Sequence, residues 1–227
     1  MTAVGADRAP VADPGEAAYR YGAVLAIVLV FVVLEVLSPD AHWSRALGVA
    51  LASAALSVSV ATSRQRANVR RVRTFTVAGV AVLVVIAIWT GLLGDAATFV
   101  IGTLIVATIP FALGGGLLRL INEDGVTVQA VAGALAIYLL IGMLFASAIG
   151  FVVAVDSKPY FSQGHVNNGD LVYYSFTVMT TTGFGDYTAA QPVGHALAVL
   201  EMLTGQIYLV TVIGILIGNF VGRRMRK

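Results

Sequence analysis

Six long apolar blocks, separated by short polar joints, dominate this chain. They run over about 21–37, 44–63, 74–93, 96–118, 126–154 and 194–221, each 17 residues or longer with few charges. That is the length an α-helix needs to cross a hydrocarbon core of about 30 Å. A core helix of a soluble protein is shorter and shows a polar face. A seventh block, 170–181, has 12 residues and reaches about 18 Å, too short to span. It follows a polar stretch from Asp156 to Gly169 that holds Pro159 and Gly164. The pattern predicts an all-α membrane protein with six transmembrane helices and a short helix dipping in between the fifth and sixth.

The joints refine this outline. Residues 1–18 are rich in Ala, Pro, Gly and Asp, the composition of a disordered tail. The block at 21–37 is long for a signal peptide and no small-residue cleavage site follows it, so it is kept as helix one. Helix two is rich in Ala, Ser and Val, which suits close packing between membrane helices. Pro110 and the triplet Gly114-Gly115-Gly116 are expected to kink or loosen the inner end of helix four. Asn122-Glu123-Asp124-Gly125 then marks a break before helix five.

Charge orients the helices. Charged residues make up 11% of the chain and hydrophobic ones 58%, whereas a soluble domain carries about 25% charged residues. Six spans place both termini on one side. If that side is cytoplasmic, it holds Arg8, Arg20, the cluster Arg64, Arg66, Arg70, Arg71 and Arg73, Arg119, and the terminal Arg223, Arg224, Arg226 and Lys227. These are 12 of the 14 Lys and Arg residues; only Arg45 and Lys158 fall outside. The positive-inside rule accounts for both clusters without nucleic-acid binding. It also places the loop between helices five and six outside. The chain has no cysteine, and His42, His165 and His195 lack metal-ligand spacing, so neither thiol chemistry nor a histidine metal site is expected.

The short block and its continuation read DLVYYSFTVMTTTGFGDYTAAQP. Non-helical backbone at membrane depth is tolerated only where it is buried in protein or lines water. Gly183 and Gly185 free the backbone for unusual dihedrals. Thr180-Thr181-Thr182-Gly183-Phe184-Gly185-Asp186 resembles the potassium-channel selectivity filter, usually TTVGYGD, and Tyr173-Tyr174 stands where that family often carries an aromatic pair. The likeness covers roughly 126–222 and leaves out the first four helices. It implies a homotetrameric pore, since one chain carries one filter strand and rings of carbonyls need four. By resemblance, the carbonyls of Thr181, Thr182, Gly183 and Phe184 coordinate potassium, the Thr181 hydroxyl closes the innermost site, and Gly185 and Asp186 form the outer rim. K+ is then the permeant ion, and no cofactor is implied.

Two departures stand out. Phe184 replaces the commoner Tyr and loses a hydroxyl; members with GFG select potassium. Thr182 replaces the commoner Val and brings a hydroxyl behind the filter. Thr177 occupies a position where some members carry a glutamate paired to the filter aspartate, which leaves Asp186 for another donor. Tyr173, Tyr174, Thr177 and Glu201 are the expected supports behind the filter. Glu201 lies well inside helix six, where a lipid-facing acid would cost about 2.5–3.5 kcal/mol, so it is expected to face protein. Glu35 is expected at the interface. Gly205 matches a gating-hinge glycine by resemblance, and close helix packing explains it equally well. Gly214, Gly218 and Gly222 recur every four residues, a packing pattern.

Helix four, the voltage-sensor position in six-helix channels, holds Arg119 alone; moving charge through the field takes several. The Arg64–Arg73 cluster is irregularly spaced among polar residues and is expected to anchor against anionic lipid. Five residues follow Gly222, and no soluble ligand-binding domain is expected there. The expected organisation is a tail at 1–18, a four-helix transmembrane domain at 19–125, a pore domain at 126–222 and a basic cytoplasmic end at 223–227. The expected function is passive K+ conduction in a cell membrane, with no enzyme activity. A weakly selective cation channel, a secondary transporter and a non-conducting regulatory subunit stand as alternatives.

Overall fold

The computed structural model describes residues 14–37, 50, 53, 79, 82, 85–87, 90, 94–124, 126–164 and 166–224. Five helices hold most of them: α1 (Pro14–Leu37), α2 (Asp95–Asp124), α3 (Val128–Val155), α4 (Asn168–Met179) and α5 (Pro192–Arg224). Most of helix two, the Arg64–Arg73 loop and most of helix three lie outside the described residues, as do 1–13 and 225–227.

Local chemistry sets the helix ends. α1 starts at Pro14, a residue suited to a first turn because its missing N–H would have had no partner there. Pro14–Ala18, expected in the tail, therefore belong to the helix. α2 runs unbroken past Pro110 and ends at Asp124, where the polar break was expected. The Thr127 side chain caps α3 by accepting from the Ala130 amide at 3.2 Å. α4 opens on a reciprocal box: Asn167 accepts from the Asp170 amide, and Asp170 accepts from the Asn167 amide, both at 2.9 Å. That box moves the start of the short helix to residue 168, two ahead of its apolar block.

α3 is the hub, touching α1, α2, α4 and α5. Val24, Val28 and Phe31 of α1 and Val106, Ile109 and Leu113 of α2 share one buried core with Ala134, Ile137 and Leu140 of α3. Small residues bring the partners close. A Cβ on Gly150 would meet the Phe99 ring at 2.3 Å, and one on Gly169 would meet the Val36 carbonyl oxygen at 2.5 Å. The C-terminal end of α1 thus lies directly on the start of α4. Glu35, one residue before this contact, is partly buried.

Among the described residues, two helices are long and apolar enough to cross a membrane, Val128–Val155 and Pro192–Leu216. Tyr21–Leu37 and Ala96–Pro110 are shorter apolar segments. α3 is well covered within the chain, whereas α5 is not: Leu203, Ile207 and Val210 are 54%, 63% and 73% exposed.

Candidate functional site

The site is the segment that follows α4. Thr180 ends the helix, and residues 180–186 run on without regular structure. Thr181, Gly183 and Gly185 have φ of +57°, +51° and +82°. Every second residue is therefore left-handed. Thr181 is the one non-glycine with positive φ among the described residues, and for a β-branched side chain that conformation is strained.

The amides explain how this backbone is held. Thr180 N–H donates to the Phe176 carbonyl at 3.0 Å and Thr181 N–H to Val178 at 2.9 Å; Thr182 and Gly183 both donate to Thr177, at 2.9 and 3.2 Å. Four successive N–H groups thus turn back onto the last carbonyls of α4, which have no partner within the helix. In a trans peptide, the C=O points opposite to the N–H of the next residue. The carbonyls of Thr181 and Thr182 therefore point away from α4. A row of acceptors aimed at one side can take the place of water around a cation.

The threonine hydroxyls stiffen the arrangement. Thr180 Oγ1 donates to the Phe176 carbonyl at 2.6 Å and lies 2.8 Å from Thr182 Oγ1. Thr180 has one hydroxyl proton, already used, so Thr182 donates to Thr180. The Thr182 hydroxyl is thereby satisfied behind the segment. Thr181 Oγ1 donates to the Thr180 carbonyl at 2.7 Å. The Thr177 hydroxyl turns onto its own helix, to Tyr174 O at 2.8 Å. Its contribution to the segment is its carbonyl.

Outside, aromatic side chains hold the far end. Tyr173 donates its hydroxyl to Asp186 Oδ2 at 2.8 Å and stacks on Phe184, with ring planes 5° apart and centroids at 6.3 Å. The carboxylate raises the Tyr173 phenol above its ordinary pKa, and Asp170 does the same to Tyr187; both hydroxyls stay protonated as donors. Tyr174 is buried and packs edge-on against Phe161 at 4.9 Å, in a cluster with Tyr160 and Leu171. The strand-like pairing of Phe161 with Ala189 ties the loop between α3 and α4 to the chain that leaves the segment. Sequence reasoning missed Ser175, Gly142 and Met179. Ser175 joins Glu201 and Gly142: its Oγ is hydrogen-bonded to Glu201 Oε1 and lies 2.7 Å from the Gly142 carbonyl oxygen.

Gly205 lies against α4. A Cβ there would stand 2.6 Å from the Met179 carbonyl oxygen, so close packing alone requires a glycine. Gly214 and Gly218 have no neighbour within 4 Å of a built Cβ; their spacing finds no packing partner within the described residues of one chain. Gly222 has no described side-chain environment.

Residues 133–221 match the family model described as an ion channel. No curated protein and no solved structure matches the chain. The matched region takes in most of α3, all of α4, the 180–186 segment and most of α5, so the family likeness falls on the two membrane-length helices and the segment between them.

Proposed function

We propose that the chain is one subunit of a homotetrameric potassium channel, with the 180–186 segment as its selectivity filter. The observation that carries this reading is the alternation of left-handed residues at 181, 183 and 185, together with four amides turned back onto α4. This geometry leaves carbonyls of successive residues free on one side. Four copies around an axis supply rings of oxygens that replace an ion's hydration shell. Thr181, Thr182, Gly183 and Phe184 hold K+, Gly185 and Asp186 form the outer rim, and Tyr173, Tyr174 and Thr177 brace from behind. The exposure of Phe184, at 69%, and of the Leu203–Val210 face of α5 supports neighbouring copies as the missing cover.

The topology that goes with this reading has six spans and cytoplasmic termini, with Arg64–Arg73 against anionic lipid. The single Arg119 in α2 supports gating by something other than a conventional voltage sensor. The protein is a conduit and not an enzyme.

Reconstitution in a planar bilayer, with potassium on one side and sodium on the other over a voltage series, tests this. The reversal potential is expected close to the potassium equilibrium value. A reversal near zero would replace strict selectivity with a weakly selective cation pore. Saturable, coupled flux would point to a transporter, and absence of current from pure protein to a regulatory subunit.

A further inference from the structure

Glu201 and Ser175 are both fully buried, on α5 and α4. Ser175 Oγ has two oxygen partners, the Gly142 carbonyl of α3 at 2.7 Å and Glu201 Oε1. A hydroxyl has one proton to give. A backbone carbonyl can only accept, and so can an ionised carboxylate. With Glu201 ionised, two acceptors would compete for one proton, and a bare charge would sit in the core. The ionisable groups that bear on Glu201 are Tyr138 of α3, Tyr160 of the outer loop and Tyr174 of α4. None of these phenols carries a positive charge. Glu201 Oε2 has no hydrogen-bond partner, as suits the carbonyl oxygen of an acid and not half of a carboxylate.

A single proton on Glu201 removes every conflict. We propose that Glu201 is a neutral carboxylic acid whose proton latches three helices together: Glu201 donates to Ser175, and Ser175 donates to Gly142. The latch has a defined place. It lies one turn before Gly205, which packs on the Met179 carbonyl at the end of α4. Gly142 permits the approach, because a Cβ there would meet the Phe176 ring at 2.9 Å. The chain of two hydrogen bonds fixes α5 to the back of α4 immediately behind the 180–186 segment. Glu201 is thus a positioning residue, and that role rests on the channel reading; its protonation does not.

Infrared spectroscopy of the full-length protein at neutral pH tests the proton directly. A protonated-carboxyl C=O stretch is expected in the native protein and lost in Glu201→Gln. Ser175→Ala removes the acceptor, so this band is expected to move to higher frequency. Absence of a band that Glu201→Gln abolishes, or a band unmoved by Ser175→Ala, overturns the latch. In flux assays, Glu201→Gln keeps a donor and a neutral carbonyl and is expected to stay near native. Glu201→Ala is expected to lower potassium flux about tenfold, the effect of one lost buried hydrogen bond. Glu201→Gln as damaging as Glu201→Ala would also overturn it. A native protein that passes no current would sink the channel reading while the infrared result still decides the proton.

Discussion

Asp186, expected to lack a partner at Thr177 and to take another donor, finds that donor in Tyr173. Thr177 turns its hydroxyl onto Tyr174 O, and the tyrosine one turn earlier supplies the donor. Tyr173→Phe keeps the ring stack on Phe184 and removes the hydrogen bond. Open dwell times in single-channel records are expected to shorten, with little change in reversal potential; unchanged dwell times would remove the brace. Thr182→Val tests the opposite expectation. The carbonyl directions follow from amides bound to Thr177 O, so selectivity is expected to persist without the Thr182–Thr180 hydroxyl contact. A reversal potential collapsing towards zero would show that the hydroxyl, not the amides, sets the geometry. The threonine and glycine types were legible in the sequence because the motif is local. The Tyr173–Asp186 pair was not, because it joins residues 13 apart across a turn whose path no periodicity encodes. Ser175 was equally silent: a lone serine in an apolar helix gives no sign that a carboxyl lies beside it.

At the scale of elements, glycines decide how closely the helices approach. Gly205→Ala gains about 1 kcal/mol in helix propensity but drives a methyl against the Met179 carbonyl, an overpacking cost of about 1–3 kcal/mol. The assembled protein is expected to melt at a lower temperature; a higher melting temperature would restore the hinge as the reason for glycine. Gly169→Ala is expected to lift α1 from α4 at Val36 and to lower flux. Unchanged flux and stability would mean that α1 is a bystander. Helix positions within the described residues were legible from apolar block length, and boundaries shifted where capping chemistry intervened, as at Asn167 and Pro14. The α1–α4 contact was not legible, because nothing in an apolar stretch states which neighbour it meets.

For the whole molecule, one chain leaves exposed the apolar groups that neighbouring copies would cover in the proposed assembly. Val199, Leu203, Ile207 and Val210 lie along one face of α5, opposite Glu201 and Gly205, and all four are exposed. Replacing Leu203 and Ile207 by Gln is expected to leave the protomer folded and to shift native mass spectra from tetramer to monomer; an intact tetramer would move the interface elsewhere. The proposed fourfold count rests on the likeness of one short motif, since no residue pattern within a chain records its copies. The left-handed Thr181 carries a further consequence at this scale. A β-branched residue held there stores about 1–3 kcal/mol of strain, and the outward carbonyls repel one another until a cation sits among them. On the proposed channel reading, the cargo is therefore also a scaffold. If the segment holds potassium as proposed, replacing potassium by a bulky organic cation at constant ionic strength is expected to lower the melting temperature by mass action. Thermal melts would then report what the pore prefers before any current is recorded.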